Sequence, residues 1–208
     1  EQQRGGETGE ESADDRHGQN QQSGESQHSD AHDSARLSSS AMNAEFISSF
    51  APLARADARV LVLGSMPGIA SLTAAHYYAH PRNSFWPIVA GLSGCAPEAP
   101  YAARVEALLA AGIALWDVLA RCRRAGSLDS EIAPDSVRAN DLTSLYAHCP
   151  RIARVCFNGA AAARWYRRLQ LPRPPGIDFV ALPSTSPAHA GMSYARKQAL
   201  WHQALRLT

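Results

Sequence analysis

The sequence lacks several features that define other classes of protein. Among its 208 residues no apolar run is long enough to cross a membrane, which excludes a membrane-spanning helix of the usual kind. The amino-terminal region has no apolar segment typical of a secretory signal. We therefore expect a cytoplasmic protein without membrane contact.

Cysteine is scarce and scattered. No pair among Cys95, Cys122, Cys149 and Cys156 has the close spacing of a zinc or iron–sulfur site. Without a secretion signal, disulfides are not expected either. We expect no metal and no other cofactor, and we interpret the thiols as small buried side chains.

Residues 1–42 have no aromatic and almost no aliphatic side chains. Such a segment cannot bury enough apolar surface to offset its ordering entropy, so it is predicted to be disordered. Its nine acidic residues and three arginines give a net charge of −6. It is either a regulatory tail or an extension upstream of a natural start at Met42, and the second interpretation is preferred. Residues 43–208 then form one domain.

The overall charge of +1 conceals a basic domain. Residues 43–208 contain seventeen basic and ten acidic residues, and sixteen of the seventeen are arginine. Arginine binds phosphate through a bidentate fork, so this composition favours a polyanionic partner. A codon bias toward arginine would produce the same composition.

Apolar runs alternate with helical patterns along the chain. Strands are predicted at Val60–Leu63, Ile113–Val118, Val155–Phe157 and Phe179–Leu182. Helices are predicted at Ala44–Leu53, Phe85–Leu92, Tyr101–Ala111, Asp141–His148, Ala160–Leu169 and Ser193–Leu207. In the last helix, Leu200, Ala204 and Leu207 share the predicted apolar face. The alternation predicts an α/β protein with a mostly parallel sheet and helices on both faces.

Four loops with unusual chemistry follow the predicted strands. They are Gly64–Gly68, the segment after Asp117, the pair Asn158-Gly159, and Pro183–His189. Ligands of open parallel sheets bind at the carboxyl ends of the strands, so these loops are predicted to converge on one site. The first loop is followed by two tyrosines, an amide and two adjacent aromatic residues, which are Tyr77, Tyr78, Asn83, Phe85 and Trp86. Side chains of these types are suited to binding a planar heterocycle.

Five motifs occur in a specific order over nearly all of residues 59–208. They are GSMPGIASL, YYAHPRNSFW, LWDV with GSLD downstream, FNGAAAA and LPSTSPAHA. With these motifs the sequence resembles the hypoxanthine-DNA glycosylases of the uracil-DNA glycosylase superfamily. The resemblance implies a three-layer α/β/α fold with a short, mostly parallel central sheet. It also implies excision of deaminated bases from DNA, chiefly hypoxanthine, in base-excision repair.

Two positions depart from the wider superfamily. Many members have Asp or Asn before the proline of the first loop, where this chain has Met66. Many have His or Asn before the Pro-Ser of the last motif, where this chain has Leu182. The resemblance to the hypoxanthine branch implies that Asn83 takes over catalysis. The alternative for Asn83 is capping of the helix that begins near Ser84.

The planar base and its hydrogen-bonding edge suggest the binding residues. Phe85 is interpreted as the stacking partner, with core packing as its alternative. Asp117 would accept the N1–H of hypoxanthine, while Asn158 or a backbone N–H of the first loop would meet O6. The predicted base-binding set is Gly64, Ser65, Met66, Pro67, Gly68, Tyr78, Phe85, Asp117 and Asn158. Tyr77 is a further candidate for the pocket wall.

Uracil presents the same donor and carbonyl pattern as hypoxanthine, so this edge does not separate the two substrates. The alternatives to a hypoxanthine enzyme are a uracil or mismatch-specific glycosylase and a catalytically weak DNA-binding module on the same fold. The expected partner is damaged DNA with a flipped base, bound by a monomer.

The last motif suits contacts with DNA. Ser184, Thr185, Ser186 and His189 are predicted to contact phosphate or the minor groove, and a rigid turn with local hydrogen bonds is the alternative. Arg164, Arg167 and Arg168 form a basic stripe on a helix, which is either a DNA footprint or a solvated face.

The chain has a single lysine. Lys197 lies on the last predicted helix among surface-type residues, so it is predicted to be solvated. Strand cleavage by a glycosylase normally needs an amine that forms a Schiff base with the sugar. A monofunctional enzyme that leaves an intact abasic site is therefore expected.

Overall fold

A computed structural model describes residues 45–206. The strands are β1 Phe46–Ser48, β2 Val60–Gly64, β3 Ile113–Asp117, β4 Leu119–Arg123, β5 Arg138–Ala139, β6 Arg154–Asn158 and β7 Asp178–Leu182. The helices are α1 Ile69–Ala74, α2 Phe85–Ser93, α3 Tyr101–Ala110, α4 Leu142–His148, α5 Ala160–Arg168 and α6 Tyr194–Leu205. Two 3₁₀ turns cover Asp129–Glu131 and Pro134–Ser136. The predictions for residues 1–42 and Leu207 lie outside the described residues.

The central sheet has four parallel strands in the order β3-β2-β6-β7. Every residue of β2 and β3 is buried, as expected for apolar runs covered on both faces. Helices flank this sheet, which confirms the predicted three-layer α/β/α architecture. Strand β3, which follows β2 in this sheet, pairs with one edge of β2, and β6, which comes later in the chain, pairs with its other edge. This reversal creates a switch point at the carboxyl end of β2.

The second sheet was not predicted. Strands β1, β4 and β5 form a small antiparallel sheet in the order β1-β4-β5. The helix predicted at Ala44–Leu53 is therefore wrong in its described part. Phe46 packs under the guanidinium of Arg121 at 3.9 Å, which favours strand pairing. Pro52 lacks the N–H that the last turn of such a helix would need.

Helix α6 packs with a different face from the predicted one. Its buried residues are Lys197, Trp201, Ala204 and Leu205, at helical spacing. Leu200, which was assigned to the apolar face, is 37% exposed. Trp201 is fully buried, and its indole N–H donates to the Pro183 carbonyl at 2.9 Å. The aromatic residue therefore sets the orientation of the helix.

Three of the four cysteines are buried, and all four are free thiols. Within residues 45–206 no helix combines the length and the apolar character that crossing a membrane requires.

Candidate active site

A cavity of about 330 Å³ opens at the carboxyl edge of the central sheet, at the switch point. This volume lies in the range of small-molecule sites. The first loop, Asn158 and the last loop contribute to its lining, together with Asp117. Of the segment predicted after Asp117, only residues 127–129 reach the cavity. The polar and aromatic side chains that line it include Ser65, Tyr77, Tyr78, His80, Asn83, Asp117, Ser127, Asp129, Asn158, Ser184, Thr185 and Ser186.

Strand register places Gly64 beside Asp117 in the floor of the cavity. A Cβ on residue 64 would overlap the Asp117 carboxylate and would lie 3.2 Å from the Tyr78 hydroxyl. Glycine is therefore required at position 64 to leave space for these two side chains.

Asp117 is an unusual carboxyl group because it is only 3% exposed. The Ser49 hydroxyl donates to its Oδ2 at 2.8 Å. Burial raises the pKa of Asp117 to about 7, and the nearby Asp129 adds to the rise. The hydrogen bond from Ser49, the nearby Tyr77 hydroxyl and the charge of Arg124 act in the opposite direction. The group therefore changes its charge near neutral pH.

Asp129 is a second carboxyl in the cavity that the site prediction missed. It accepts a hydrogen bond from the Ser65 hydroxyl at 2.6 Å. Burial raises its pKa, while the Ser65 bond and the charges of Arg124 and Arg164 lower it. The available signal was its place at the end of the GSLD motif, directly after a Gly-Ser turn.

Arg124 holds two loops of the site together. It is 4% exposed, and its Nε donates to the Gly126 carbonyl at 2.7 Å while a terminal nitrogen donates to the Pro67 carbonyl at 2.5 Å. The first loop and the segment before Asp129 are thus joined through one buried guanidinium. This residue was also absent from the predicted site.

Two tyrosines line the cavity, of which Tyr77 is 3% exposed and the more exposed one is Tyr78. Its φ of 55° is in the left-handed region, which a bulky residue adopts only when its surroundings require it. Phe85 is fully buried behind it, with ring centroids 4.2 Å apart, and does not line the cavity. The interpretation of Phe85 as the stacking partner is therefore wrong, and its packing alternative describes the structure. Trp86 also packs in the core.

Asn83 both lines the cavity and, from the position before the N-cap Ser84, binds the first N–H of helix α2. Its Oδ1 accepts the Phe85 N–H at 3.0 Å. The two hydrogens on Nδ2 are not used by that bond and can serve as donors. Asn83 can therefore bind helix α2 through Oδ1 and serve in catalysis through Nδ2 at the same time.

The last loop is anchored by a pair of hydrogen bonds between Asn158 and Thr185. The Asn158 Nδ2 donates to the Thr185 hydroxyl at 2.8 Å, and the Thr185 N–H donates to Oδ1 at 2.9 Å. The Ser84 N–H also donates to the Thr185 carbonyl. Next to Asn158, Gly159 has a φ of 97°, and a Cβ there would lie 2.9 Å from Ser184. The close packing of the turn after Asn158 against Ser184 of the last loop therefore requires glycine at position 159.

Thr185 is 1% exposed, so its predicted contact with DNA is wrong. Ser184 and Ser186 line the cavity, but their hydroxyls accept the N–H groups of Ser186 and Ala188. The rigid-turn alternative describes this segment. His189 is exposed and does not line the cavity.

The prediction that Lys197 is solvated is also wrong. The residue is 5% exposed, and its ammonium group donates to the His189 carbonyl at 3.4 Å. Burial lowers its pKa. The Lys197 ammonium group therefore holds the His189 end of the last loop through this hydrogen bond.

The fold and the cavity define an α/β/α protein with a cavity of small-molecule size at the switch point of a parallel sheet, and comparisons with known proteins specify its family. Residues 51–206 match the Uracil DNA glycosylase superfamily. A relative named hypoxanthine DNA glycosylase, from Methanosarcina acetivorans, is 32% identical over 142 residues, covering 68% of this chain and 87% of the relative. Another protein of that name, from Methanosarcina barkeri, is 31% identical over 158 residues, covering 76% and 96%.

A solved structure is similar as well. The solution NMR structure of a proposed uracil DNA glycosylase from Methanosarcina acetivorans superposes with a TM-score of 0.67 at 30% identity, covering 78% of this chain and 98% of the other. The chain belongs to the uracil DNA glycosylase superfamily. This membership confirms the predicted family, fold and enzyme class, a DNA glycosylase.

Proposed function

We propose that the protein is a monofunctional glycosylase that hydrolyses the N-glycosidic bond of deaminated bases, chiefly hypoxanthine, after the base has flipped out of DNA into the cavity. The observation that carries the proposal is the buried Asp117 acceptor beside the ring of Tyr78, in a cavity of about 330 Å³. The names of the two Methanosarcina relatives support the same substrate. The predicted monomeric state and cytoplasmic location stay predictions.

Base recognition would combine stacking with one hydrogen-bonded edge. The Tyr78 ring offers a π-face to any planar base. Ionised Asp117 would accept the N1–H of hypoxanthine, since a carboxylate only accepts. Asn158 uses its Oδ1 and one Nδ2 hydrogen on Thr185, so its second Nδ2 hydrogen or a backbone N–H of the first loop would donate to O6.

Catalysis would depend on charge stabilisation and positioning. Hydrolysis passes through an oxocarbenium-like sugar while negative charge grows on the departing base. The Nδ2 of Asn83 could donate to that charge or hold the attacking water. Its orientation would be fixed by the bond between its Oδ1 and the Phe85 N–H. Met66 and Leu182 offer no acid or base at the positions where many superfamily members have one.

The monofunctional assignment rests on the single lysine of the chain. Its amine is directed to the His189 carbonyl, and Lys197 does not line the cavity. A Schiff base with the sugar would require this amine to leave its buried position.

Release of bases from oligonucleotides with single lesions tests the proposal. Duplexes containing hypoxanthine, uracil or xanthine are incubated with the full chain and treated with alkali, and cleavage reports excision. Fastest release of hypoxanthine is expected. Preference for uracil would assign the chain to the uracil and mismatch-specific enzymes. Binding to an abasic duplex without any release would indicate a binding module.

A further inference from the structure

The segment that carries Tyr78 to the cavity wall has an unfavourable backbone. Among the described residues, three other than glycine have a φ in the left-handed region, and two of them, Ala75 at 53° and Tyr78 at 55°, lie in this segment. That region is costly for a residue with a Cβ, above all for a bulky one. The conformation of the segment, and with it the direction of the Tyr78 ring, therefore depends on neighbouring groups.

Three side chains bind the backbone of this segment. The Ser71 hydroxyl accepts the Ala79 N–H at 3.2 Å, and the Trp86 indole N–H donates to the Tyr77 carbonyl at 2.9 Å. The third is the Tyr101 hydroxyl, whose oxygen accepts the Tyr77 N–H at 3.0 Å. The consecutive peptide groups that join residues 76 to 79 are thus each held by one side chain.

Tyr101 is the most distant of these anchors in sequence. It is the first residue of α3, and none of the described residues of that helix lines the cavity. The His76 ring stacks on the Tyr101 ring with centroids 3.8 Å apart, and the Trp86 ring meets it edge-on at 5.7 Å. These ring contacts direct the hydroxyl to the Tyr77 N–H, and they do not themselves require the oxygen.

The bond from Tyr77 is difficult to replace. Tyr77 is 3% exposed, so water does not have ready access to its N–H. A buried N–H without an acceptor costs free energy, and a rotation of the local backbone could relieve that cost. Such a rotation would move the ring of Tyr78, the next residue, away from its contact with Phe85 at a centroid distance of 4.2 Å.

We propose that Tyr101 is a positioning residue, whose hydroxyl holds the Tyr78 ring in the orientation that stacks on the flipped base. This inference rests on the proposed function. Helix α3 thereby contributes to base recognition without reaching the cavity. Because the effect acts through the Tyr78 ring, contacts with the DNA backbone should not depend on the Tyr101 hydroxyl.

Tyr101→Phe tests the inference, because it removes the oxygen and keeps the ring. Affinity is measured by fluorescence anisotropy on a duplex with 2′-fluorodeoxyinosine, whose glycosidic bond resists hydrolysis, and on a duplex with a tetrahydrofuran abasic analogue. The ratio of the two affinities reports the contribution of the base. We expect Tyr101→Phe to lower this ratio about fivefold, with the affinity for the abasic duplex changed less than about twofold.

Tyr146→Phe is the matched control, because the Tyr146 hydroxyl is also hydrogen-bonded, at 2.9 Å from that of Tyr166, but Tyr146 does not line the cavity. It should leave the ratio unchanged. In a Tyr78→Ala background, Tyr101→Phe should change the ratio less than about twofold, since the ring it positions is gone. A further fivefold loss in that background, or an unchanged ratio in the single variant, would overturn the positioning role.

Hydrogen exchange of the Tyr77 amide, followed by NMR, tests the anchor without DNA. In Tyr101→Phe this amide should exchange about tenfold faster or more, while the amide of Val62 in the centre of β2 keeps its rate. Unchanged exchange at Tyr77 would also contradict the proposal. A wild-type chain that binds both duplexes equally and releases no hypoxanthine would refute the proposed function, while the exchange rate still decides whether Tyr101 holds this segment.

Discussion

At the scale of single residues, the buried carboxyl of Asp117 couples stability to pH. Its pKa rises from an ordinary value of 3.8 to about 7 because burial disfavours the charged form. The native state therefore binds this proton more tightly than the unfolded chain. The resulting stabilisation is complete below about pH 4 and is lost as the pH rises through about 7.

Asp117→Asn removes this dependence while it keeps the shape of the side chain. At pH 8 the variant should exceed the wild type in free energy of unfolding by an amount of the order of 4 kcal/mol, and the difference should disappear near pH 4. Denaturant unfolding at several pH values measures it. A difference that is constant across this range would contradict the raised pKa.

The same carboxyl should govern base recognition. Asp117→Ala removes the acceptor for the buried N1–H, and excision of hypoxanthine should weaken by about 1–3 kcal/mol in transition-state free energy, or roughly 5- to 150-fold in kcat/KM. In the wild type, kcat/KM should rise with pH through about 7, because the ionised carboxylate accepts the N1–H more strongly than the neutral acid does. Undiminished excision by the variant would remove Asp117 from recognition.

Two substitutions separate the roles of Asn83. Asn83→Asp keeps an oxygen that can accept the Phe85 N–H, but it has no amide hydrogens to donate. Asn83→Ala removes both functions. Both variants should lose about 10²-fold or more in turnover, whereas only the alanine variant should lose about 1 kcal/mol of stability. Single-turnover excision and thermal unfolding give the two values. An active aspartate variant would show that Asn83 is mainly a helix cap.

At the scale of elements, the four central strands could be predicted because each contains an apolar run, which is buried throughout in β2 and β3 and half-buried in the edge strand β7. The positions of Asp117 and Asn158 followed from their places at strand ends. Strand β1 could not be predicted, since its stability comes from pairing with β4, which is distant in sequence. Phe85 and Tyr78 lie in one aromatic motif, and the sequence pattern did not show that Tyr78, with its left-handed backbone, lines the cavity while Phe85 packs behind it.

Helix α6 also carries a prediction about chemistry. Lys197 is held beneath the last loop by the His189 carbonyl, so it should not attack the sugar. Borohydride should trap no covalent complex with DNA, and strands should break only after alkali or a separate lyase is added. A trapped adduct that disappears in Lys197→Ala would reassign the enzyme as bifunctional.

At the scale of the whole molecule, the charges of the two parts of the chain oppose each other. Residues 1–42 carry a net charge of −6, while residues 43–208 are basic. Deletion of residues 1–42 should leave folding and excision intact and should strengthen DNA binding at low salt, with the difference shrinking as salt screens the charges. Salt titrations of binding measure this effect. A full chain whose nine acidic residues of this segment are neutralised is the matched control and should behave like the truncated protein.

The hydrogen bonds that tie Thr185 to Asn158 and to Ser84 are present before any DNA arrives. The last loop has therefore lost its conformational freedom during folding, and little ordering of this loop is left for binding. If the proposed function holds, the free-energy cost of rearrangement on binding would fall on the nucleic acid, which would open while the protein keeps its shape. A lesion in a weak mismatch opens more often than the same lesion in a stable pair. The rate of excision would then depend on the strength of the base pair as well as on the identity of the base.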